Sequence, residues 1–227
     1  MKTFLITGAS TGIGAATARQ AVASGYRVAL AARSADKLQE LVNELGADAA
    51  MAVPCDVTEY DDQAAMAEAV MSAYGRIDVV FANAGIGTTA AGTEGGDPDN
   101  WRDMILTNVL GVALTAKVTM REIRKNSGHL ILTGSRAGRR IIPGSVYGAT
   151  KWAITGYGAN LREELVGSGA RVTILEPGMV DTPFFETPKP DALTAEDVAN
   201  AVMYAVSQPP HVDVSKILIA PTAPKTT

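Results

Sequence analysis

The sequence predicts an α/β fold, a doubly wound, seven-stranded parallel sheet with helices on both faces. Short apolar runs alternate with amphipathic stretches of helical length, the pattern of consecutive β-α-β units. A glycine stands just before several of those runs, at Gly25, Gly46, Gly75, Gly128 and Gly169, where a preceding helix must end on a left-handed residue. The length suits one such sheet, so residues 1–227 are read as a single domain.

The first strand, Thr3–Ile6, is closed by Thr7-Gly8, and the amphipathic stretch from Ala15 to Ser24 follows as a helix. Between them lies Thr7-Gly8-Ala9-Ser10-Thr11-Gly12-Ile13-Gly14. Glycines in this place let main-chain amides approach a pyrophosphate, and the helix N-terminus adds partial positive charge. Gly8, Ser10, Thr11, Gly12, Ile13 and Gly14 are therefore candidate dinucleotide contacts. A plain turn uses glycines too, but the strand-loop-helix setting at the start of the chain is that of a Rossmann-type domain.

The second strand, Arg27–Ala31, leads into Ala32-Arg33. About 20 residues beyond such a loop an acid normally holds the ribose 2′-hydroxyl of NAD. No carboxylate stands here to repel a 2′-phosphate, and the Arg33 guanidinium can grip one bidentately, which favours NADP(H). The alternative is a surface arginine opening the next helix. Asp56-Val57 follows the third strand, Ala50–Cys55, where it can meet an adenine. Asn83-Ala84-Gly85 follows the fourth, Val79–Ala82, as a small-residue turn beside a cofactor. Either segment taken alone also reads as a turn. The remaining strands are His129–Leu132, Arg171–Leu175 and Lys216–Ile219, with loops at Ala91–Asn100 and Pro183–Pro190.

Ligands of open parallel sheets sit at the carboxyl ends of strands. Past the fifth strand come the Gly134-Ser135 turn and then Tyr147-Gly148-Ala149-Thr150-Lys151, in an amphipathic stretch that places Tyr147 and Lys151 on one helix face. Bringing a phenol from about 10 to about 7 takes roughly 4 kcal/mol. An ammonium about 4 Å away supplies roughly that at an effective dielectric near 20. The pair is thus a candidate proton donor and acceptor, with the Ser135 hydroxyl placed to bond the reacting oxygen. Most Tyr-x-x-x-Lys pairs are helix surface; the position after this strand makes the difference.

The composition, 47% hydrophobic and 19% charged, is that of a folded core with a solvated surface. A net charge of −4, with no Lys/Arg run, argues against a nucleic-acid partner. Phe4-Leu5-Ile6 is too short for a signal core or a membrane span, so no membrane and a cytoplasmic location are expected. The single Cys55 reads as a buried thiol and suits a reducing compartment. His129 and His211 have no nearby Cys/His partners in the sequence, so no metal is expected.

TGASTGIG, CDV, NAG, Asn108, the GS turn, YGATK and PGMVDT, in this order and spacing over nearly the whole chain, resemble the compact branch of the short-chain dehydrogenase/reductase family. The resemblance implies that Tyr147 is the catalytic acid/base and that Lys151 lowers its pKa while binding the nicotinamide ribose. It further implies that Ser135 positions the substrate oxygen, that Asn108 holds a water of a proton relay, and that Pro177, Gly178, Val180 and Thr182 contact the nicotinamide. The substrate would be a small-molecule alcohol or carbonyl. The tail beginning Leu193-Thr194-Ala195 resembles the NADP-dependent 3-hydroxy acid and serine dehydrogenase branch. Arg136, Arg139 and Arg140, between Ser135 and Tyr147, are then candidates to bind a substrate carboxylate, against a solvated or subunit-contact role.

Three departures stand out: Ala82 where many relatives carry asparagine, a glycine loop without a basic residue, and a short Thr182–Leu193 segment that leaves the active site open. The resemblance and the small-residue face of the Trp152–Leu165 helix imply a homo-oligomer, a tetramer before a dimer, with Trp152 in core or subunit packing. The competing function is a non-catalytic NADPH-binding sensor, disfavoured because all four catalytic positions are filled. Epimerase or dehydratase chemistry belongs to a longer branch with an added substrate domain.

Overall fold

Apolar runs that are buried on both faces pair most simply as parallel strands, with helices covering each side. The computed structural model describes residues 1–222, so the last positions of the expected domain, 223–227, lie outside the described residues. Its strands are β1 (Thr3–Thr7), β2 (Arg27–Ala32), β3 (Ala50–Pro54), β4 (Val79–Ala82), β5 (His129–Thr133), β6 (Arg171–Pro177) and β7 (Lys216–Ile219). They form one parallel sheet in the order β3-β2-β1-β4-β5-β6-β7. The expected strand ends hold to within two residues; β6 runs on through Glu176 and Pro177 because Leu218 and Ile219 pair with them.

Between the strands lie α1 (Gly12–Ala23), α2 (Ala35–Leu45), α3 (Tyr60–Tyr74), α4 (Pro98–Ile105), α5 (Val112–Lys125), α6 (Val146–Glu164) and α7 (Ala195–Ser207). Alternation along β1 shows how the layers form: Phe4 and Ile6 enter one core and Leu5 the other. On the first face Ala15, Ala18 and Ala21 of α1, Leu38 and Leu41 of α2 and Val198 and Val202 of α7 close the core. Met66 and Val70 of α3, Val112 and Ala116 of α5, and Ile154 and Leu161 of α6 close the other.

The α4 and α5 helices are continuous through a wide π turn at Leu106–Gly111, and Pro98–Lys125 is long and apolar enough by composition to cross a membrane. Here one face of it packs on the sheet, with Asn108, Thr115, Thr119 and Ile123 buried, while Ile105 and Leu110 on it are exposed. Gly25, Gly46, Gly75 and Gly169 take positive φ as expected, but Gly128 does not. Ser127 holds the left-handed position instead, at φ 46°. Gly128 is required for a different reason: a Cβ there would stand 2.5 Å from the Asp78 carbonyl oxygen, where β5 enters beside β4.

Candidate active site

Strand order reverses between β1 and β4, so the helices that follow them leave on opposite faces and a crevice opens at the strands' carboxyl ends. A cavity of about 460 Å³ occupies it. The loop after β1 forms one wall, with Gly8 at φ 64° and Gly12 at φ 54°. A Cβ on Gly8 would stand 2.8 Å from Ala84 Cα, and one on Gly14 only 2.3 Å from the Gly8 carbonyl oxygen. Thr11, the N-cap of α1, makes no side-chain cap bond, which leaves the first-turn amides free for an anion.

The turn after β4 does more than sequence suggests. Asn83 Nδ2 donates to the carbonyls of Thr7 and Gly8, at 3.2 Å each, and the amides of Asn83 and Ala84 donate to Thr7 Oγ1. Asn83 therefore braces the glycine loop from behind, while Ala84 and Gly85 line the cavity with it. Arg33, Asp56 and Val57 line the end of the cavity beyond β2 and β3. Asp56 Oδ1 accepts from the amide and hydroxyl of Thr58, at 2.9 and 2.8 Å. Desolvation pushes the Asp56 carboxyl up, but the Thr58 hydrogen bonds and the nearby Arg33 charge outweigh it and hold its pKa below the usual range.

At the other end Ser145 caps α6 by accepting from the Gly148 amide at 2.9 Å, and this sets Tyr147 in the first turn with Lys151 one turn on. Both line the cavity, as does Ser135 at the end of the turn after β5. Ser135 Oγ accepts from Ala137 N at 3.0 Å and caps the short 3-10 helix Arg136–Arg139. Lys151 Nζ donates to the Thr133 carbonyl at 2.9 Å and lies 5.7 Å from the centre of the Tyr147 ring. The electrostatics depart from expectation. Burial holds Tyr147 above the ordinary phenol value, with hydrogen bonding to Ser135 pulling it down, and burial lowers Lys151 to about 8. Helical spacing brings the two residues together, but it carries no information on desolvation, which acts on each of them first.

Two expected residues do not line the cavity. Gly14 is fixed by packing against Gly8, and Asn108 is fully buried in the π turn. Asn108 Oδ1 accepts from Ile86 N at 2.9 Å, and its Nδ2 donates to the Ile86 carbonyl (2.9 Å) and to Thr150 Oγ1 (3.2 Å). It thus ties the loop after β4 to α6, and its side-chain amide has no donor left for a water. Arg139 does not reach the cavity either: it pairs with Glu176, a fully buried carboxylate that also accepts from Thr155 Oγ1. Arg136 and Arg140 are exposed, and like Arg139 they do not line the cavity.

Pro177, Gly178, Val180 and Thr182 line the cavity, the methyl group of Thr182 facing Gly12. The short segment beyond them covers part of the cavity mouth and leaves the rest open: Pro183, Phe184 and Phe185 line the end beside Tyr147, the Phe184 ring 6.0 Å from that of Tyr147 and itself 43% exposed. Sequence reasoning passed over them, although two of the chain's four phenylalanines stand side by side there. Trp152 is half exposed on α6 rather than in the core.

With this geometry in place, a family model described as "short chain dehydrogenase" matches residues 2–192. An uncharacterized oxidoreductase of Staphylococcus aureus is 36% identical over 225 residues, covering 97% of both chains. Among solved structures, an alcohol dehydrogenase of the archaeon Thermococcus sibiricus complexed with 5-hydroxy-NADP superposes with a TM-score of 0.92 at 31% identity, covering 100% of this chain and 99% of that one. A serine dehydrogenase from Escherichia coli superposes with a TM-score of 0.89 at 32% identity, covering 96% and 97%.

Proposed function

The chain belongs to the short chain dehydrogenase family, and from that premise we propose that it is an NADP(H)-dependent oxidoreductase that interconverts a secondary alcohol and a carbonyl, with Tyr147 as acid/base. The observation that carries this reading is the convergence of Tyr147, Lys151, Ser135 and the glycine loop on one cavity.

NADP(H) fits the residues present. The cradle at Gly8, which a Cβ would fill, and the uncapped start of α1 suit a pyrophosphate. Arg33 would hold the 2′-phosphate, Asp56 and Val57 would meet the adenine, and Asn83 to Gly85, Lys151 and Pro177 to Thr182 would hold the nicotinamide half. The archaeal neighbour's 5-hydroxy-NADP supports the phosphate-bearing form. When bound, the nicotinamide supplies the hydride for reduction and is itself oxidised.

In reduction the Tyr147 hydroxyl gives its proton to the carbonyl oxygen as that oxygen becomes an alcohol; in oxidation the tyrosinate takes the alcohol proton back. Ser135 donates a hydrogen bond to the same oxygen. Lys151, with a pKa of about 8, is largely protonated at neutral pH, and its charge stabilises the tyrosinate left after proton transfer. A relay water at Asn108 would be held by the main-chain carbonyl, since the side chain is committed to Ile86 and Thr150.

Tyr147→Phe keeps the ring and removes the proton. NADPH titration with the variant should match wild type, while ketone or aldehyde reduction falls about 10²-fold or more. Near-normal turnover in the variant overturns the mechanism, and wild-type binding of NADPH with no turnover on any carbonyl favours a nucleotide sensor.

A further inference from the structure

The two ends of the cavity differ in charge. Among the described residues, Arg33 and Lys151 are the lysine and arginine side chains that line it. Arg33 lies at the nucleotide end, and Lys151 sits beneath Tyr147 and donates to the Thr133 carbonyl. The cations near the substrate end are otherwise engaged or directed elsewhere. Arg139 is paired with buried Glu176, while Arg136 and Arg140 are exposed and outside the cavity. Lys189 donates to Thr187 Oγ1, with its Nζ 5.5 Å from the centre of the Phe185 ring, and does not line the cavity.

Beyond Ser135 and Tyr147, apolar side chains form one wall of that end. The Phe184 ring stands edge-on to Phe185, with centres 5.1 Å apart, and leans toward Tyr147. The ring also closes down on the loop after β4, since a Cβ at Gly87 would be 2.8 Å from Phe184 Cζ. Ile86 and Pro183 complete the wall. The hydroxyls of Ser135 and Tyr147 serve one substrate oxygen, the one that reacts. A carboxylate elsewhere on the substrate would meet no further cation among the side chains that line the cavity, and wherever it packed against these rings it would give up water without one.

Resting on the oxidoreductase reading above, we propose that the substrate is an uncharged ketone or aldehyde with an apolar or aromatic flank, and its alcohol, rather than a 3-oxo or 3-hydroxy acid, and that Phe184 is the side chain that selects it. The reaction is unchanged: hydride adds to the carbonyl carbon, the C=O π bond breaks, the oxygen takes the Tyr147 proton, and NADPH becomes NADP⁺.

The test is kcat/KM with NADPH on matched pairs, ethyl 3-oxobutanoate against 3-oxobutanoate and acetophenone against 4-acetylbenzoate. The neutral member of each pair should be preferred by roughly 30-fold or more. Phe184→Ala should lower kcat/KM for acetophenone by about tenfold, chiefly through KM, with NADPH affinity held within about threefold; Phe184→Leu should recover part of the loss. Equal or better use of the acids, or an unchanged acetophenone KM in Phe184→Ala, overturns this inference alone. Turnover of other carbonyls but of none of these four overturns this inference alone, whereas binding of NADPH with no turnover on any carbonyl overturns the oxidoreductase reading, and this inference with it.

Discussion

Gly138→Ala is the substitution that most directly tests how Ser135 is held against Tyr147 and Lys151. Gly138 is buried in the short helix after Ser135, and its φ lies outside the left-handed region, so alanine is conformationally allowed and the conflict is one of space. A Cβ there would stand 2.6 Å from the Lys151 carbonyl oxygen and 2.7 Å from its carbon. Ordinary contact begins at 3.4 Å, so the turn must withdraw from α6 by about 0.8 Å (3.4 − 2.6). Both neighbours are backbone of a helix packed on the sheet, which does not give as a side-chain end would. Overpacking of this kind costs about 1–3 kcal/mol. For a chain of this size that lowers Tm by roughly 2–12 °C. Ser135 moves with the turn, and a misplacement near 1 Å at a reacting centre is worth about 10²-fold, so kcat should fall between about tenfold and about a hundredfold. The glycine loop and Arg33 lie across the cavity, and NADPH affinity should stay near wild type. Thermal melts, NADPH titration by fluorescence and kcat for ketone reduction measure the three quantities. A variant with wild-type Tm and with kcat within about twofold of wild type would refute the claim that this contact positions the serine.

Two further expectations concern the nucleotide and the core. Arg33→Asp replaces the cation proposed to hold the 2′-phosphate with an anion that repels a 2′-phosphate and accepts from a ribose hydroxyl, so the ratio of kcat/KM for NADPH to that for NADH should swing toward NADH; a wild type that already prefers NADH contradicts the assignment. His129 is buried with Nε2 2.7 Å from Thr173 Oγ1, and burial, helped by the Arg171 charge, depresses its pKa to about 3. Above about pH 6.5 the imidazole is neutral in both folded and unfolded chains; below it the unfolded chain takes up a proton that the folded one refuses, so stability falls as pH drops, by up to about 2 kcal/mol at pH 5. Urea denaturation at pH 7 and pH 5 should show this loss in wild type and a shallower one in His129→Gln, and equal losses in the two proteins would contradict it.

Much of the fold was legible because parallel strands must be continuous apolar runs, and helices must stop at residues able to turn. Glycine before a strand, however, has two physical origins. At Gly75 it is left-handed backbone, whereas at Gly128 it is the close approach of Asp78, and a sequence shows the residue without the reason. That the glycine loop, Arg33, Ser135, Tyr147 and Lys151 would line one cavity was readable in the same way, since each lies in the segment that follows a strand and such segments begin at converging strand ends in an open parallel sheet.

The sequence by itself determined the order of strands and loops, the helical register that joins Tyr147 to Lys151, and the absence of an acid after β2. The tertiary structure alone decided which charges meet. Arg139 lies close to Ser135 in the chain, yet it is taken by Glu176, a residue 37 positions away. Phe184, much further along the chain from Gly87, packs against the loop after β4 and beside the Tyr147 ring, on the side of the cavity that a short segment was expected to leave bare. Periodicity along the chain reports which face a residue takes, because backbone geometry repeats locally. Partner choice and desolvation depend on what the folded sheet brings from elsewhere, so these properties arise only when the chain packs.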